Sequence, residues 1–467
     1  LLLRNEGGNR NNWLTVNLEG SVSNRAGVGV KAEIRSEQHH QKIENLGGQG
    51  FLTQSPERLH FGLGRHKRAD VVRLLWPNGI LQSEKDHNVN QTISIRELDR
   101  KGTSCPIMYV WDGNSYKFQS DFLGGSAYGN LLAPKTFNYP DTDEYIKLNR
   151  SDTRLKNGDL ALTINNQLEE VIIYDQVELT VVDHPADYEV FPDEKLLPGP
   201  PYLPFRLLTA QSASAPVAAS DGEGNDVLPS ILQIDRTYPP VADSEPFKGY
   251  TRMHDLVLDL GPVNQDYTVL LMWAWIDYSD STSNLAASQA GIQLVPPYLQ
   301  VKDSAGKWVT VIDQMGFPAG LPKYMTVDLS GRFLSESREV RIVTNMKIYW
   351  DQIRVETGEP RSDYVINRLS PAGADLHFKG NPVPWSPDGK LPRLYDYDRV
   401  YFPDWKVHTG AYTRYGDVLE LLEKKDDFYV ITRSGDEIAL RFDLESLPDL
   451  PSGWVRDYLV YVDGFGK

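Results

Sequence analysis

Two acidic loops are the segments of this sequence whose side chains could bind a metal ion. One is the run DGEGND at 221–226, and the other places Asp277, Asp280 and Asn284 just after a tryptophan-rich segment. Calcium takes several carboxylate and carbonyl oxygens that a flexible turn brings together. We expect the second loop to be the better calcium site, because it follows a rigid strand that would preorganise its oxygens. Neither loop has the full EF-hand pattern, and ordinary solvated turns are the alternative interpretation.

Aromatic side chains between residues 273 and 350 could stack on sugar rings. Trp273 and Trp275 lie on one face of a predicted strand, but that strand is apolar on both faces, which favours core packing. Tyr278, Tyr298 and Trp350 lie nearer to turns or polar neighbours. These three residues are therefore the candidates for a glycan-binding site.

The usual catalytic signatures do not occur in this sequence: it has no HExxH, GxSxG, P-loop or CxxCH motif. A glycosidase needs only two carboxylates at a suitable distance, and Asp277, Asp328 and Asp351 could supply them. Because accidental pairs are common in so acidic a chain, we predict no catalytic residue, no cofactor apart from calcium, and no enzymatic activity. His39 and His40 are the one local histidine pair. Because neighbours on a strand point to opposite faces, we do not expect the two side chains to share a metal ion, and we expect them to be solvated.

The composition restricts the class of partner. The chain has 467 residues, a formal charge of −16 and a pI near 5.1, without a lysine or arginine cluster, so we expect no nucleic-acid partner. The longest apolar run, Val269–Ile276, is far shorter than the roughly 20 residues that span a bilayer, so we expect no membrane insertion. The single cysteine, Cys105, cannot form an internal disulfide, and we expect a buried thiol that carries no metal.

Periodicity and turn residues predict an all-β protein, with several β-sandwich or barrel domains in series and very few short helices. Runs such as WLTVNL and VGVKAEI alternate apolar and polar residues, as half-buried strands do. Pro77-Asn78-Gly79 predicts a hairpin between VVRLLW and ILQ. The segment 250–357 has the strand and turn spacing of a jelly roll and is similar to galactose-binding-type sandwiches. Asp417 ahead of VLELLEK predicts a short helix.

Glycine-rich motifs near the amino terminus point to one family. In order, they are Asn24-Arg25 with Gly27 and Gly29, then GGQGF at 47–51, HFGLG at 60–64 and WPNG at 76–79. This combination closely resembles the ASPIC/UnbV domain. That domain usually follows an FG-GAP (VCBS-type) β-propeller in secreted bacterial proteins and in the animal cartilage acidic protein family. The resemblance implies that this chain is the carboxy-terminal part of such a protein, with a propeller before residue 1 in the same polypeptide.

We expect Gly48, Gly50, Gly62 and Gly64 in this module to serve backbone geometry, since glycine tolerates a positive φ and close strand approach. The resemblance implies the end of a propeller blade at 1–12 and the ASPIC/UnbV module at 13–98. Strand patterns and shifts in composition predict the segments that follow. They are a second β domain at 104–183, a Pro/Ala/Ser-rich excursion or linker at 184–249, the jelly-roll-like sandwich at 250–357 and a C-terminal β domain with a short helix at 361–467. Pairing of this last segment back onto an earlier sheet is an alternative to a separate domain.

These observations together predict a non-enzymatic protein of the cell exterior or, alternatively, of the periplasm. It would serve in binding, adhesion or scaffolding, or as a subunit of a cell-surface assembly, with protein partners or cell-surface glycans. The alternative function is carbohydrate binding or carbohydrate processing by the jelly-roll segment.

Overall fold

The structure is a computed structural model that describes residues 6–48, 57–77, 81–98, 105–167, 170–402 and 410–466. Nearly all of its regular structure is β, in several separate sheets, which confirms the predicted fold class. The chain divides into two compact units, residues 1–101 and residues 102–467.

Unit 1 contains two sheets with a core between them. Its strands are β1 (Asn12–Glu19), β2 (Lys31–Ser36), β3 (His39–Glu44), β4 (Leu59–Gly64), β5 (Arg68–Leu75), β6 (Leu81–Asn88) and β7 (Gln91–Arg96). One sheet has the order β4-β1-β7, in which β1 and β7 run parallel, and the other has the order β3-β2-β5-β6. Strands β5 and β6 pair antiparallel with Leu75 opposite Leu81, which confirms the predicted hairpin, although residues 78–80 lie outside the described residues.

Alternating apolar residues build the core of unit 1. Leu14, Val16 and Leu18 of β1 face the same core as Phe61 and Leu63 of β4. The period-2 pattern of these strands therefore places one apolar row inside, as the sequence predicts.

A buried carboxylate organises the loop that follows β1. The carboxylate of Glu97, 3% exposed, accepts hydrogen bonds from the backbone N–H groups of Ser21, Val22 and Ser23 at 2.7 to 2.9 Å and from the Ser23 hydroxyl at 2.7 Å. Burial raises the pKa of Glu97, but these hydrogen bonds outweigh burial and lower the pKa below its usual value. Further along this loop, the amide of Asn24 both accepts from and donates to the backbone of Val28 at 2.8 Å.

The glycines of unit 1 confirm the predicted role only in part. Gly64 has a φ of +57°, and Gly27 and Gly29 have φ values of +65° and +91°, so a positive φ does require glycine there. The prediction is wrong for Gly48 and Gly62, which have no positive φ and open space where a Cβ would lie. Gly50 lies outside the described residues.

Unit 2 contains most of the strands of the chain. They are β8 (Ile107–Trp111), β9 (Tyr116–Asp121), β10 (Leu131–Ala133), β11 (Thr136–Phe137), β12 (Asp143–Lys147), β13 (Leu155–Lys156), β14 (Asp159–Asn165), β15 (Ile172–Pro185), β16 (Glu189–Pro192), β17 (Leu207–Ala210), β18 (Ala218–Asp221), β19 (Tyr250–Asp259), β20 (Val269–Ile276), β21 (Tyr298–Lys302), β22 (Trp308–Ile312), β23 (Lys323–Asp328), β24 (Glu339–Met346), β25 (Ile348–Glu356), β26 (Val365–Leu369), β27 (Gly373–Phe378), β28 (Asn381–Trp385), β29 (Leu394–Tyr401), β30 (Gly416–Asp417), β31 (Val430–Thr432), β32 (Asp436–Asp443) and β33 (Trp454–Gly466).

The first sandwich of unit 2 packs a seven-stranded sheet against a five-stranded sheet. The seven-stranded sheet has the order β30-β27-β32-β14-β8-β9 with β13 on β14, and the five-stranded sheet has the order β12-β33-β15-β26 with β31 on β15. Both sheets contain strands from 104–183 and from 361–467, and the two segments share one core. Strands of the two segments alternate in the five-stranded sheet, whereas in the seven-stranded sheet they meet at the pair β14 and β32. These two segments therefore form one sandwich, and not two separate domains. The pairing of β32 and β33 with earlier strands agrees with the expectation that 361–467 pairs back onto an earlier sheet. The domain boundaries were missed because strand partners far apart in sequence leave no local signal.

The second sandwich of unit 2 corresponds to the predicted jelly-roll segment. A five-stranded sheet, β18-β19-β24-β21-β22, and a three-stranded sheet, β23-β20-β25, enclose a core that includes Met272, Ile342 and Ile353. The segment 184–249 is not a linker, since it supplies β16, β17 and β18 and buries Phe191 and Ile231.

The helices differ from the prediction. The described residues contain one α-helix, α1 (Ser281–Gln289), in a segment that we interpreted as a loop. Its hydrophobic pattern is weak, so only its capping residues could have indicated it. After Asp417 the chain forms a single 3₁₀ turn, Leu419–Leu421, in place of the predicted helix, and the Asp417 carboxylate accepts a hydrogen bond from the Leu419 N–H at 3.0 Å. Three further 3₁₀ turns are Gly8–Arg10, Arg150–Asp152 and Leu228–Ile231.

We predict that Gly64→Ala lowers the free energy of unfolding of unit 1 by about 1 kcal/mol or more, because a Cβ strains the backbone at positive φ. Gly62→Ala is the matched control in the same strand, and we expect its effect to stay within about 0.5 kcal/mol. Thermal unfolding of the full chain measures both variants. Equal effects of the two substitutions would contradict the prediction.

We predict that Glu97→Gln destabilises unit 1 by about 1–3 kcal/mol, because the amide places N–H groups against backbone donors. Hydrogen exchange at Ser21–Ser23 should lose its protection in the same variant. Since the folded pKa of Glu97 is lowered, this stabilisation should be complete above its unfolded pKa and be lost as the pH falls through its folded pKa. Glu19→Gln, at an exposed position on β1, is the control and should leave that protection unchanged.

Candidate functional site

A small pocket in unit 2 brings together carboxylates and aromatic rings. It lies between β12 of the first sandwich and the chain that follows β16. Its lining residues are Asp141, Asp143, Tyr145, Pro192, Asp193, Glu194, Lys195, Tyr202, Leu203, Pro204, Phe205 and Arg206. Residues 192–206 come from the segment that we expected to be an excursion or linker, so the sequence prediction missed this site.

Burial and like charges govern the acidic side of the pocket. Burial first, and then the charges of Asp143 and Glu144, raise the pKa of Asp141 to about 7. Burial and the charge of Glu144 likewise raise the pKa of Glu194 well above its usual value. The Glu194 carboxylate accepts hydrogen bonds from the backbone N–H groups of Tyr145 at 3.0 Å and Lys195 at 3.2 Å, which fix it in place.

The cationic residues of the pocket are paired with a different carboxylate. Lys195 and Arg206 both bind Asp193, at 2.7 and 2.6 Å, and the Thr326 hydroxyl donates to the same carboxylate at 2.8 Å. Burial raises the pKa of Asp193, but the charge of Lys195 and these hydrogen bonds lower it overall. Asp193 therefore has a structural role, because it binds Lys195, Arg206 and Thr326.

The acidic side of the pocket has no comparable cation. Among the described residues, no lysine, arginine or histidine forms an ion pair with Asp141, Asp143 or Glu194. Like charges so close together favour protonation of one carboxyl group or the binding of a cation.

The register of the five-stranded sheet adds a further carboxylate beside the pocket. Asp143 of β12 lies directly opposite Asp463 of β33. Directly opposed like charges destabilise a strand pair. Lys425 binds Asp463, and the Thr142 hydroxyl lies 3.4 Å from the same carboxylate. Burial first, and then the charges of Asp143 and Asp175, nevertheless raise the pKa of Asp463.

Aromatic side chains border the acidic groups. The Tyr202 hydroxyl donates to the Tyr139 carbonyl at 2.7 Å, and the Tyr139 side chain is 68% exposed. The rings of Tyr145 and Phe205 lie 4.4 Å apart. Tyr145 and Phe205 are partly buried against a hydrophobic cluster, so Tyr139 is the exposed aromatic face among these residues. An exposed aromatic face beside hydrogen-bonding carboxylates offers both stacking and polar contacts to a ligand.

The residues of the predicted calcium loop do not converge. Asp280 is the N-cap of α1 and accepts a hydrogen bond from the Ser283 N–H at 2.8 Å, in a capping box. The Asn284 side chain is buried, where it accepts from the Tyr250 hydroxyl and donates to the Leu131 carbonyl, both at 2.7 Å.

Asp277 forms an ion pair with Lys347 at 3.1 Å. Each of the three predicted ligands therefore has protein partners of its own. No group of three or more histidine, cysteine or acidic side chains that could hold a metal ion occurs in the described part of the chain.

The alternative acidic loop, 221–226, forms a turn. The Asp221 carboxylate accepts hydrogen bonds from the Glu223 N–H, from the Asn225 N–H and from the Asn225 side chain at 2.9 to 3.0 Å. The hydrogen bond from the Asn225 side chain is the main cause of a lowered Asp221 pKa. This carboxylate therefore stabilises its own loop.

The predicted glycan-binding aromatics do not form one surface. Trp350 is 5% exposed and lies in the core of the second sandwich, so it is unavailable for stacking on a sugar. Tyr278 packs against the same core. Tyr298 is half-buried at the start of β21. As predicted for core packing, Trp275 is buried, where it stacks on Tyr349 at 4.0 Å.

The remaining candidate residues have structural partners. Asp351 is 2% exposed and accepts backbone hydrogen bonds from Asp235 and Arg236, and burial raises its pKa to about 6. Asp328 binds Arg206 at 3.1 Å. Cys105 is buried, as predicted.

The predicted histidine pair lies on β3, where His40 is exposed and His39 is half-buried and stacked on His66. Adjacent positions on this strand therefore differ in exposure, as expected from its pleat.

Comparison with known proteins identifies one part of the chain. Residues 20–102 match the family model described as ASPIC and UnbV. This segment is an ASPIC/UnbV domain. No curated protein and no solved structure matches the chain. The ASPIC/UnbV domain corresponds to most of unit 1, whereas the acidic pocket lies in unit 2, outside the matched residues.

We predict that Asp141→Asn changes stability in a pH-dependent manner. An aspartate whose folded pKa is raised to about 7 costs stability as the pH rises from its unfolded pKa to about 7. The variant should therefore gain thermal stability relative to the unmodified chain at pH 8, and much less at pH 4. Asp398→Asn, at an exposed position, is the control and should show the same difference at both pH values.

Proposed function

We propose that this chain is a non-enzymatic, extracellular binding protein whose site is the acidic pocket of unit 2. Its ligand is a cationic group presented by a protein partner. The observation that carries this proposal is the placement of Asp141, Asp143 and Glu194 in one pocket without an ion-pairing cation among the described residues. A bound ammonium or guanidinium would offset the repulsion that raises the pKa of Asp141.

The charge of the whole chain supports this class of partner. A formal charge of −16 attracts basic surfaces and repels phosphate backbones. Because the charged form of Asp141 binds a cation and its pKa is about 7, binding should strengthen as the pH rises through neutrality.

The extracellular location and the architecture of the longer protein belong to the same proposal. They rest on the ASPIC/UnbV domain and on its resemblance to modules that follow FG-GAP propellers in secreted proteins. No helix in the described residues is long and apolar enough to cross a membrane. The gene sequence upstream of residue 1 tests this part: a propeller and a signal peptide support it, and an unrelated domain without a signal contradicts it.

A glycan is the second candidate ligand, in keeping with the alternative function that the sequence suggests. The specific observation is the exposed Tyr139, whose carbonyl accepts a hydrogen bond from the Tyr202 hydroxyl. Carboxylates that accept hydrogen bonds from sugar hydroxyls would lie next to this stacking face.

Titration with a short lysine-rich peptide tests the proposed function. We expect Asp141→Asn/Asp143→Asn to weaken binding about tenfold, a loss of about 1.4 kcal/mol. The double variant Asp266→Asn/Asp398→Asn changes the net charge equally at exposed positions and should bind as the unmodified chain does. Equal weakening by both double variants would show that binding reflects net charge alone and would contradict the pocket.

Two further measurements distinguish the ligands. A polysaccharide pull-down with the full chain supports the glycan if Tyr139→Ala abolishes it. Melting curves in excess calcium and in chelator test calcium as the cation, because an ion that binds only the native state raises the melting temperature. If the curves coincide, calcium is not the ligand.

A further inference from the structure

Unit 2 buries a lysine between two carboxyl groups. Lys323, the first residue of β23, is 8% exposed. Its ammonium group donates to Glu144 Oε1 at 2.7 Å, to the Asp121 carbonyl at 2.7 Å and to the Ala319 carbonyl at 3.0 Å. Asp121 Oδ1 lies 3.4 Å from the same nitrogen. The nitrogen is therefore held beside one carboxyl group while it donates to another.

Both carboxyl groups are buried and fixed by backbone donors. Asp121 is fully buried, and its Oδ1 accepts a hydrogen bond from the Leu321 N–H at 2.7 Å. Glu144 is 4% exposed, and its Oε2 accepts from the Leu123 N–H at 2.7 Å. Neither group can rotate away from Lys323 without losing a buried hydrogen bond.

The three residues come from three different sheets. Asp121 ends β9 of the seven-stranded sheet, Glu144 lies on β12 of the five-stranded sheet, and Lys323 begins β23 in the second sandwich. The cluster thus lies where the two sandwiches of unit 2 meet.

We propose that Lys323 and Asp121 are joined by an isopeptide bond, which forms within the folded protein with Glu144 as the catalytic residue that moves the protons. A buried lysine nitrogen, a carboxyl carbon beside it and a third group that exchanges protons with both are the components that such a condensation requires. This proposal does not depend on which ligand the acidic pocket binds, although Glu144 is also one of the charges that raise the pKa of Asp141.

The reaction balances without an oxidant or a reductant. Glu144 transfers one proton from the Lys323 ammonium to the Asp121 carboxylate, which leaves a neutral amine and a carboxylic acid. Nζ of Lys323 attacks Cγ of Asp121, and the hydrogen bond from the Leu321 N–H stabilises the negative charge that develops on Oδ1. A second proton passes from the nitrogen through Glu144 to the departing hydroxyl group. One N–C bond forms, one C–O bond breaks, and one water molecule leaves.

The buried setting favours this product over the ion pair. Two charges held away from water carry a large desolvation cost, and an amide removes both. Burial raises the pKa of Glu144, which suits a group that must hold a proton in transit. Burial lowers the pKa of Lys323, but the charges of Glu144 and Asp121 outweigh burial and raise it, so the proton must pass to a carboxylate before the attack.

A second lysine pair in unit 2, which joins the half-buried Lys147 to the buried Asp457, provides an internal control. Lys147 Nζ lies 3.3 Å from Asp457 Oδ2. Arg150 and His184 also bind Asp457, at 2.6 and 3.3 Å. Burial raises the pKa of Asp457, but its hydrogen bond with His184 and the charges of Lys147 and Arg150 lower it strongly, so this carboxylate stays ionised and unreactive.

Mass spectrometry of the full chain tests the proposal. We expect an intact mass lower than that of the sequence by one water molecule, and a tryptic species that joins peptide 118–135 to peptide 308–332 through Asp121 and Lys323, with no cleavage after Lys323. Lys147 and Asp457 should appear only in unmodified peptides.

Glu144→Gln tests the role of the catalytic residue, because glutamine keeps the shape but cannot carry the proton. The variant should lack the joined species, have the full intact mass and unfold at a lower temperature. Glu356→Gln, at another buried glutamate, is the control and should keep the joined species.

The chain without substitutions shows whether the isopeptide bond forms, even if Glu144→Gln fails to fold. Unmodified peptides that contain Asp121 and Lys323, at the full intact mass, would overturn the proposal and leave a buried ion pair. A joined species that persists in folded Glu144→Gln would overturn the role of Glu144.

Discussion

The pairing of β15 with β33 is the interaction on which the rest of unit 2 depends. Residues Ile172–Pro185 align with Trp454–Gly466 over almost their whole length. This contact joins residues almost 300 positions apart, so its loop-closure entropy must be offset by the core that the two strands help to form. β33 also pairs with β12, which places Asp143 opposite Asp463 and sets one wall of the acidic pocket. The geometry of the acidic pocket therefore depends on the pairing register of strands that lie far apart in sequence.

Local patterns in the sequence predict much of the fold, since they depend on neighbouring residues. Periodicity and turn residues predict the all-β class and the hairpin between β5 and β6. The resemblance of the glycine-rich motifs to a known family identifies the ASPIC/UnbV domain. The domain boundaries of unit 2 do not follow from local patterns, because segments that are contiguous in sequence contribute strands to shared sheets. The segment 184–249 shows the same limit: its composition resembles that of a linker, yet Phe191 and Ile231 are buried.

The candidate site was harder to predict than the fold. Asp280 and Asn284 carry oxygen atoms suited to calcium, but Asp280 caps a helix and Asn284 satisfies buried polar groups. Asp141 and Glu194 lie 53 positions apart and share a pocket only after folding. Each lies in a short acidic segment, DTDEY or FPDEK, that is evident in the sequence. No local pattern indicated that the two segments would line the same pocket.

The parallel pairing of β1 with β7 in unit 1 has a mechanical consequence. The strands run side by side from Leu14 opposite Gln91 to Glu19 opposite Arg96, so the chain enters at one end of the pair and leaves at the other. Tension along the polypeptide would pull the two strands in opposite directions and load all their hydrogen bonds in shear at once, instead of opening them one by one. The Glu97 hydrogen bonds to residues 21–23 lie at the exit end of this pair and would share the same force. Unit 1 is thus built to resist stretching between its two ends.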